Sequence, residues 1–209
     1  MTAPSLPIVM AITGASGAPY AVRLLEQLLV ANQPVQLIVS GHGLRLLRTE
    51  TEIDSIDALR LAVGASRWDA LVTAFDDDDR GAAPASGSAR NRGMVVCPCS
   101  MGTVSAISQG TSRSLVERAA DVALKERRML VLVPRETPFS TLHLRNLLQL
   151  SELGVRIVPA MPAFYFRPTG MEDLIEFVVD RAIQAAGLPL PLRHPWTGAD
   201  GPDPDRVDR

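Results

Sequence analysis

The sequence contains few of the residues whose abundance would point to a specialised class of protein. It has two cysteines with one residue between them, a spacing that fits neither a zinc ligand set nor a redox C-x-x-C pair. The formal net charge of -2 gives no reason to expect a nucleic-acid partner, because such binding depends on Lys and Arg neutralising phosphates. No apolar run reaches the roughly 18 residues of a membrane span, and the N-terminus lacks a basic region followed by a long apolar core. We therefore expect a cytoplasmic protein in which Cys97 and Cys99 are buried and reduced.

The chain has enough apolar residues for one core. At 209 residues, of which 46% are hydrophobic, it is long enough for one substantial core and too short for two. We expect a single domain over residues 1–196. Residues 197–209 are dominated by Gly, Pro and Asp and show no apolar period, so we expect them to form a disordered tail.

Short apolar runs alternate with helix-like stretches, which is the pattern of repeated strand–helix–strand units. The apolar runs are Ile8–Ile12, Val35–Val39, 94–96, 129–133 and 156–159. One helix-like stretch has Pro19 in its first turn, and three others span 114–127, 140–153 and 171–186. This alternation predicts an α/β fold with a mainly parallel sheet.

Four of the apolar runs end in residues that suit a phosphate or a flavin. These ends are, in chain order, Gly14 to Gly17, Ser40, Ser100 to Thr103, and Arg135 with Glu136. In an open parallel sheet, ligands bind in the crevice beyond the carboxyl ends of the strands, so we expect one site built from all four pieces. The glycine turn alone is also compatible with an ordinary strand-to-helix connection in which Ser16 caps the helix.

Two cations lie on one face of the second predicted helix. Arg118 and Lys125 are seven residues apart, almost two helical turns, on a helix that is otherwise largely apolar. A phosphate is one candidate partner for them, since cations rarely lie near a buried surface unpaired. The alternative is a ladder of salt bridges with Glu117, Asp121 and Glu126.

Residues 76–92 depart from the alternation. Four consecutive aspartates, Asp76 to Asp79, are followed by a stretch rich in Gly, Ala and Ser, which is loop composition. We interpret the aspartates as a solvated turn rather than a metal site. The three histidines, His42, His143 and His194, show no metal-ligand spacing, and we expect them to be structural or exposed.

Long stretches of the chain resemble the UbiX-type flavin prenyltransferases. The matching segments include ITGASGAPYAVRLL at 12–25, TET at 49–51, PASGS at 84–88, CPCSMGTVSAI at 97–107, ERAADVALKERRMLVLVPRETP at 117–138 and PAFYFRP at 162–168. The resemblance extends to about Trp196. It implies a Rossmann-like three-layer sandwich, the flavoprotein fold.

The resemblance also implies an activity. Proteins of this family bind reduced FMN and join a dimethylallyl group, delivered as the monophosphate, to the flavin N5 and C6 atoms; UbiD-type decarboxylases use the product, prenylated FMN. By motif, the residues expected to bind FMN are Gly14, Ala15, Ser16, Ser40, Ser100, Met101, Gly102, Thr103 and Arg135.

Further roles follow from the same motifs. Residues expected to bind the prenyl donor are Tyr165, Arg181, Lys125, Arg118 and Trp196, and those expected to be catalytic are Ser16, Glu50, Glu136 and Lys125. Glu136 would protonate the departing phosphate, and Ser16 with Glu50 would relay the proton lost from N5. No metal is expected. The family assembles as homododecamers with active sites at subunit interfaces, so Tyr165, Arg181 and Trp196 are expected to complete a neighbour's site.

One departure and two alternatives accompany this interpretation. Phe166 stands where the family often has His, so any role of that imidazole is absent here. A cysteine-type flavin decarboxylase shares the fold, although such proteins usually carry a PASANT-like stretch where this chain reads PCSMGT at 98–103. A flavin-binding module without catalysis is the other alternative, and it would require neither Glu136 nor Lys125.

Overall fold

The computed structural model describes residues 5–193, and within that range it contains a sheet of six strands. The strands are β1 Ile8–Ile12, β2 Val35–Val39, β3 Val72–Asp76, β4 Gly93–Cys99, β5 Met129–Pro134 and β6 Arg156–Ile157. Every adjacent pair is parallel, and the strand order is β3-β2-β1-β4-β5-β6. The prediction of an α/β fold with a parallel sheet is confirmed.

Eight α-helices connect and flank the strands of the described region. They are α1 Ala18–Val30, α2 Gly41–Thr51, α3 Ile56–Ala62, α4 Ala65–Leu71, α5 Met101–Gln109, α6 Leu115–Lys125, α7 Thr141–Glu152 and α8 Met171–Ala185. The four predicted helices are α1, whose predicted first turn contains Pro19, and α6, α7 and α8, whose bounds lie within two residues of the predicted ones. The other four helices and β3 were not predicted.

Alternation along β1 divides the molecule into three layers. Ile8, Met10 and Ile12 enter a core shared with α1 to α4 and α8. Val9 and Ala11 face the opposite way, into a core shared with α5, α6 and α7. Because successive side chains of a strand point to opposite faces, one fully buried strand supplies both cores. The implied three-layer sandwich is confirmed.

The connections place a topological switch point between β1 and β4. The chain moves from β1 to β2 on one side, and β4 pairs with the other side of β1, with Val9 opposite Met94. Crevices at such points, beyond the carboxyl ends of the strands, are where open parallel sheets bind ligands. A ligand site is therefore expected at the carboxyl edge of the sheet, beside β1 and β4.

The long connection after β3 is more structured than its composition suggests. It contains a short 3-10 helix at Ala83–Ala85, and Arg128 donates hydrogen bonds to the carbonyl oxygens of Ala89 and Gly87. Two of the aspartates form local turns, in which Asp76 Oδ1 accepts from the Asp78 N–H and Asp79 Oδ1 from the Gly81 N–H. The predicted solvated turn accounts for these two residues but not for Asp77, whose carboxylate accepts a hydrogen bond from the Val116 N–H.

Both cysteines are free and buried, as predicted. Burial raises the pKa of the Cys97 thiol to about 12 and raises that of Cys99 as well. Both thiols are therefore protonated at neutral pH. In the region that the structure describes, no helix combines the length and apolar character needed to cross a membrane. The predictions for His194, Trp196 and the tail lie outside the described residues.

Candidate active site

A cavity lined by hydroxyl groups opens at the switch point. It has a volume of about 240 Å³, and its lining includes Thr13, Gly14, Ser40, Ser100 and Thr103. Four of these five residues were predicted from the strand ends, and the structure brings them together. We refer to this space as the hydroxyl cavity.

Thr13 links the two strands beneath the hydroxyl cavity. Its Oγ1 donates a hydrogen bond to the carbonyl oxygen of Pro98 at 2.9 Å and accepts one from the Ser100 N–H at 2.9 Å. The side chain is 2% exposed, so both bonds are shielded from water. The Thr13 hydroxyl thereby fixes the ends of β1 and β4 relative to each other.

Three helices begin at the hydroxyl cavity. Ser40, Ser100 and Ser114 are the N-caps of α2, α5 and α6, and their hydroxyls accept from the N–H groups of residues 43, 103 and 117 at 3.1, 3.2 and 3.4 Å. A helix N-terminus carries partial positive charge. The N-termini of α2 and α5 therefore favour a negatively charged ligand such as a phosphate, whereas the first N–H groups of α6 are taken by Asp77.

The N-terminus of α1 is occupied by a side chain of the protein itself. Glu50 Oε2 accepts hydrogen bonds from the N–H groups of Gly17 and Ala18, both at 2.8 Å. The glycine turn was predicted to offer these donors to an anion, and the anion that takes them is Glu50. Ser16 does not cap α1; the N-cap is Gly17, whose φ of 129° is a conformation that favours glycine.

Ser16, Glu50 and Arg135 form a polar group beside this turn, which we call the Ser16 cluster. The Ser16 side chain hydrogen-bonds to Glu50, and Arg135 Nε donates to the Ser16 carbonyl oxygen at 3.2 Å. Burial raises the pKa of Glu50, but the hydrogen bonds from Gly17, Ser16 and Ala18 and the charge of Arg135 outweigh burial and leave the pKa below its ordinary value. Glu50 is therefore an ionised acceptor held against the Ser16 hydroxyl.

Two carboxylates also line the hydroxyl cavity, and both are committed to local partners. Asp77 Oδ1 accepts from the Val116 N–H at 2.9 Å. Glu117 accepts hydrogen bonds from Arg113 and Thr111; burial raises its pKa, but these bonds outweigh burial and lower it. These pairings compensate the negative charge at the rim.

The two cations of α6 are paired within the chain. Arg118 Nη1 lies 2.6 Å from Asp121 Oδ2, and Lys125 Nζ lies 2.5 Å from Glu126 Oε1. Arg113 pairs with Glu117 at 3.0 Å. Within one chain, the structure therefore shows these cations in salt bridges, which was the alternative to a phosphate partner.

Lys125 is far from the hydroxyl cavity of its own chain. Helix α6 begins at the carboxyl edge of the sheet, where the Leu115 N–H donates to the Asp77 carbonyl at 2.6 Å. An 11-residue helix spans about 16 Å, so Lys125 lies toward the opposite edge, beside Gly87. A single chain does not bring Lys125 to the Ser16 cluster.

Tyr165 and Arg181 lie together in a third place, around α8. The Tyr165 ring contacts Phe177 edge-on with centroids 6.0 Å apart, and Phe177 and Arg181 line the same 540 Å³ groove beside β6. Phe166, at the position where the family often has His, stacks on Phe177 with centroids 5.5 Å apart. This aromatic ring thus packs where an imidazole was expected.

The other predicted site residues differ in how exposed they are and in which part of the side chain or backbone a ligand could contact. Glu136 follows β5 beside Arg135, and its Oε1 accepts from the Thr137 N–H at 3.1 Å. Met101 is buried in the core, so only its backbone remains available to a ligand at the cavity. Gly102 is exposed in the first turn of α5, while Ala15 is 4% exposed. The predicted turn at 100–103 is the start of a helix.

Six lining residues of the hydroxyl cavity were not predicted to belong to a site. They are Thr13, His42, Asp77, Ser114, Val116 and Glu117. Both Thr13 and Ser114 had a recognisable signal in the sequence. Thr13 carries a hydroxyl directly after a buried strand, and Ser114 carries one directly before an apolar helix. Asp77 required knowledge of β3, which was not predicted.

The donor set of the hydroxyl cavity fits the phosphate-bearing end of FMN. Hydroxyl groups and helix N-termini bind phosphates in many α/β proteins. Gly14, Ser40, Ser100 and Thr103 would hold that end, and the Ser16 cluster lies at the next turn of the chain. No group of three or more His, Cys, Asp or Glu side chains within residues 5–193 is arranged to hold a metal ion.

The strand order and the cavity at the switch point define a nucleotide-binding α/β protein. The Flavoprotein family model matches residues 2–183. Flavin prenyltransferase UbiX of Pseudomonas aeruginosa is 45% identical over 195 residues, which cover 90% of this chain and 93% of that protein. Flavin prenyltransferase UbiX of Halalkalibacterium halodurans is 46% identical over 187 residues, which cover 88% of this chain and 90% of that protein. The chain therefore belongs to the flavoprotein family and, within it, to the UbiX-type flavin prenyltransferases.

Solved structures agree with this assignment. AnUbiX (PadA1), solved in complex with FMN and dimethylallyl pyrophosphate, has a TM-score of 0.85 and 37% identity, covering 94% of this chain and 100% of that one. A dodecameric FMN-dependent UbiX-like decarboxylase from Escherichia coli O157:H7 has a TM-score of 0.84 and 40% identity, covering 92% and 100%. The cysteine decarboxylase TvaF, with 16% identity over 87% of this chain and 98% of that one and a TM-score of 0.58, shares the fold alone.

Proposed function

We propose that this protein is a flavin prenyltransferase that joins the dimethylallyl group of dimethylallyl monophosphate to N5 and C6 of reduced FMN. The observation that carries the proposal is the Ser16 cluster, in which an ionised carboxylate is joined to a hydroxyl two residues after Gly14 of the hydroxyl cavity. The 45% identity to a flavin prenyltransferase over 90% of the chain supports it. The prenylated product would serve UbiD-type decarboxylases.

The chemistry requires that the leaving group be stabilised and a proton be accepted. When the allylic C–O bond breaks, both electrons stay with the phosphate oxygen and positive charge develops on carbon. The bound flavin supplies the nucleophilic N5 and C6 atoms. The protein must therefore place cations at the phosphate and keep water from the carbon, for which Arg, Lys and aromatic side chains are suited.

We assign the role of proton acceptor to the Ser16 cluster. Glu50 is ionised, and the Ser16 hydroxyl is hydrogen-bonded to it, so a proton taken up by Ser16 Oγ can pass to the carboxylate as the hydroxyl proton moves on. Arg135 holds the Ser16 carbonyl and thereby fixes the turn. Glu136, the next residue, is assigned the protonation of the departing phosphate.

The active form is proposed to be an oligomer, since one chain leaves the predicted donor-binding residues apart. Lys125 lies at the far end of α6, and Tyr165 and Arg181 lie around α8. The similar protein from Escherichia coli O157:H7 is dodecameric. A dodecamer with interface sites would allow Lys125, Tyr165 and Arg181 of neighbouring chains to complete the site around Ser16.

The direct test is anaerobic incubation with reduced FMN and dimethylallyl monophosphate, followed by mass analysis of the extracted flavin. We expect a flavin heavier by one dimethylallyl group. AnUbiX was solved with the pyrophosphate, so the pyrophosphate is tested in parallel, and we expect the monophosphate to react faster. Activity that disappears with a chelator would contradict the metal-free assignment. No mass change with either donor would refute the proposed function.

The alternatives make different predictions for one substitution. In a prenyltransferase, Glu136→Gln removes the acid for the leaving phosphate and should lower turnover by about 100-fold while FMN binding is retained. A flavin-binding module would show no turnover before or after the change. A cysteine-type decarboxylase would release carbon dioxide from a peptide ending in cysteine, without any prenyl donor. Unchanged prenylation by the variant would exclude the assigned role of Glu136.

A further inference from the structure

His42 lies in the wall of the hydroxyl cavity. It is the second residue of α2, and an ideal Cβ built on Gly14 would come within 2.6 Å of the His42 Cβ. His42 therefore packs against the glycine turn through its Cβ and backbone, and the residue belongs to the cavity lining together with Ser40 and Ser100. His42 therefore belongs to the cavity wall on the side of β2, which α2 follows directly.

The position of His42 is distinctive for its charge chemistry. Among the residues that line the hydroxyl cavity, no Lys or Arg is present, and His42 is the one basic side chain. No hydrogen bond or ion pair joins it to another residue of the described region. The two carboxylates of the same lining, Asp77 and Glu117, are occupied by α6 and by Arg113.

The α1 N-terminus cannot take the role of a phosphate site, because the carboxylate of Glu50 fills it. Asp77 likewise takes the Leu115 and Val116 N–H groups at the start of α6. The helix starts left to a ligand at the cavity are therefore those of α2 and α5, and His42 lies in the first turn of α2. An imidazole N–H there adds a directed donor to a set otherwise made of hydroxyls and backbone amides.

We propose that His42 is a specificity residue that binds the phosphate of FMN and lets this protein distinguish FMN from riboflavin. The inference rests on the proposed function, since it presumes that the hydroxyl cavity receives a flavin nucleotide. It adds His42 to Gly14, Ser40, Ser100 and Thr103, the residues that the motifs shared with the family already assign to FMN.

The test compares the equilibrium binding of FMN and of riboflavin to the 209-residue protein. Binding is measured by the quenching of flavin fluorescence. His42→Ala keeps the Cβ that packs against Gly14 and removes only the ring. We expect the Kd for FMN to rise about tenfold, equivalent to about 1.4 kcal/mol, with the Kd for riboflavin unchanged. His42→Gln, which keeps a side-chain N–H donor, should recover part of the loss.

The controls separate this inference from its foundation. His143→Ala removes an imidazole on α7, outside the hydroxyl cavity, and should leave both Kd values unchanged. An unchanged FMN affinity in His42→Ala, or an equal loss for FMN and riboflavin, would overturn the phosphate assignment while the proposed function stands. If the unsubstituted protein bound no FMN, the proposed function would fail, and this inference with it. Thermal unfolding verifies that each variant is folded.

Discussion

At the scale of single residues, Glu50 has two tasks in the same position. Its carboxylate caps α1 through the N–H groups of Gly17 and Ala18, and it holds the Ser16 hydroxyl. If Glu50 also accepts the proton, as proposed, its replacement affects both the fold and the reaction. The two effects are separable because the first depends on the ionised state of Glu50 and is measurable without substrate.

Glu50→Gln should destabilise the fold at neutral pH by about 1 kcal/mol, because a charge-assisted cap is replaced by a neutral one. The pKa of Glu50 is lower in the folded state, so its ionised form favours folding. The difference in free energy of unfolding between wild type and variant should be full above about pH 5 and shrink as the pH falls through the folded-state pKa, below the ordinary 4.5.

Urea unfolding at a series of pH values measures this difference. The matched control is Glu52→Gln, since Glu52 is exposed just beyond the end of the same helix, and it should show little effect at any pH. A difference for Glu50→Gln that stayed constant down to pH 3 would mean that the ionised carboxylate does not stabilise the fold.

At the scale of elements, the buried strands were predictable and the edge strand was not. β1, β4 and β5 are covered on both faces and read as continuous apolar runs. β3, with the sequence VTAFD, is an edge strand with three exposed residues, so neither a continuous run nor a regular alternation marks it. Its prediction required the pairing with β2, which is a tertiary contact.

The candidate site was predictable to the extent that it depends on strand ends. Gly14, Ser40, Ser100 and Thr103 meet because parallel strands end at one edge. The direction of α6, which carries Lys125 away from that edge, follows from connectivity rather than from residue spacing. Helix α2 was missed because it begins with glycines and buries only Gly43 and Leu47, which leaves a weak apolar period.

Gly43 sets how closely α2 approaches the end of β1. A Cβ at this position would lie 2.4 Å from the carbonyl oxygen of Ile12, which is backbone and cannot move aside. Gly43→Ala should therefore cost about 1–3 kcal/mol in the free energy of unfolding, in spite of the higher helix propensity of alanine. Chemical denaturation measures this cost.

Gly41 provides the comparison within the same helical turn. A Cβ there meets nothing within 4 Å, so Gly41→Ala should be neutral or slightly stabilising. Equal effects of the two alanines would show that close packing against Ile12 does not explain the glycine at position 43.

At the scale of the whole molecule, apolar surface is concentrated at one end of the sheet. Most of the large apolar side chains that are exposed within residues 5–193 lie between positions 142 and 171, on α7 and in the segment before α8. Leu144 and Leu148, one helical turn apart, are 53% and 60% exposed. Exposed apolar patches of this kind are typical of subunit contacts.

Leu144→Asp combined with Leu148→Asp should therefore lower the mass of the assembly, because it would place two charges in a desolvated contact. Size-exclusion chromatography with light scattering measures that mass. Leu61→Asp on α3 is the control, since Leu61 is 67% exposed but lies outside this stretch. An unchanged assembly in the double variant, with circular dichroism showing a folded chain, would exclude α7 from the contact.

The separation of Lys125 from Ser16 within one chain leads to a prediction about mixed oligomers. Ser16→Ala and Lys125→Ala should each be inactive alone. If Lys125 serves a neighbouring chain, co-expressed oligomers contain sites in which an intact Ser16 meets an intact Lys125, and random mixing in equal amounts should restore about a quarter of the wild-type activity.

The matched control is Ser16→Ala mixed with Glu50→Gln. Both of those residues belong to the same chain's cluster, in direct hydrogen-bonding contact, so this mixture cannot rebuild a complete site and should stay inactive. Prenylation of reduced FMN measured by mass, at equal total protein, distinguishes the two mixtures. Failure of the first mixture to exceed the second would mean that Lys125 does not act across a subunit interface.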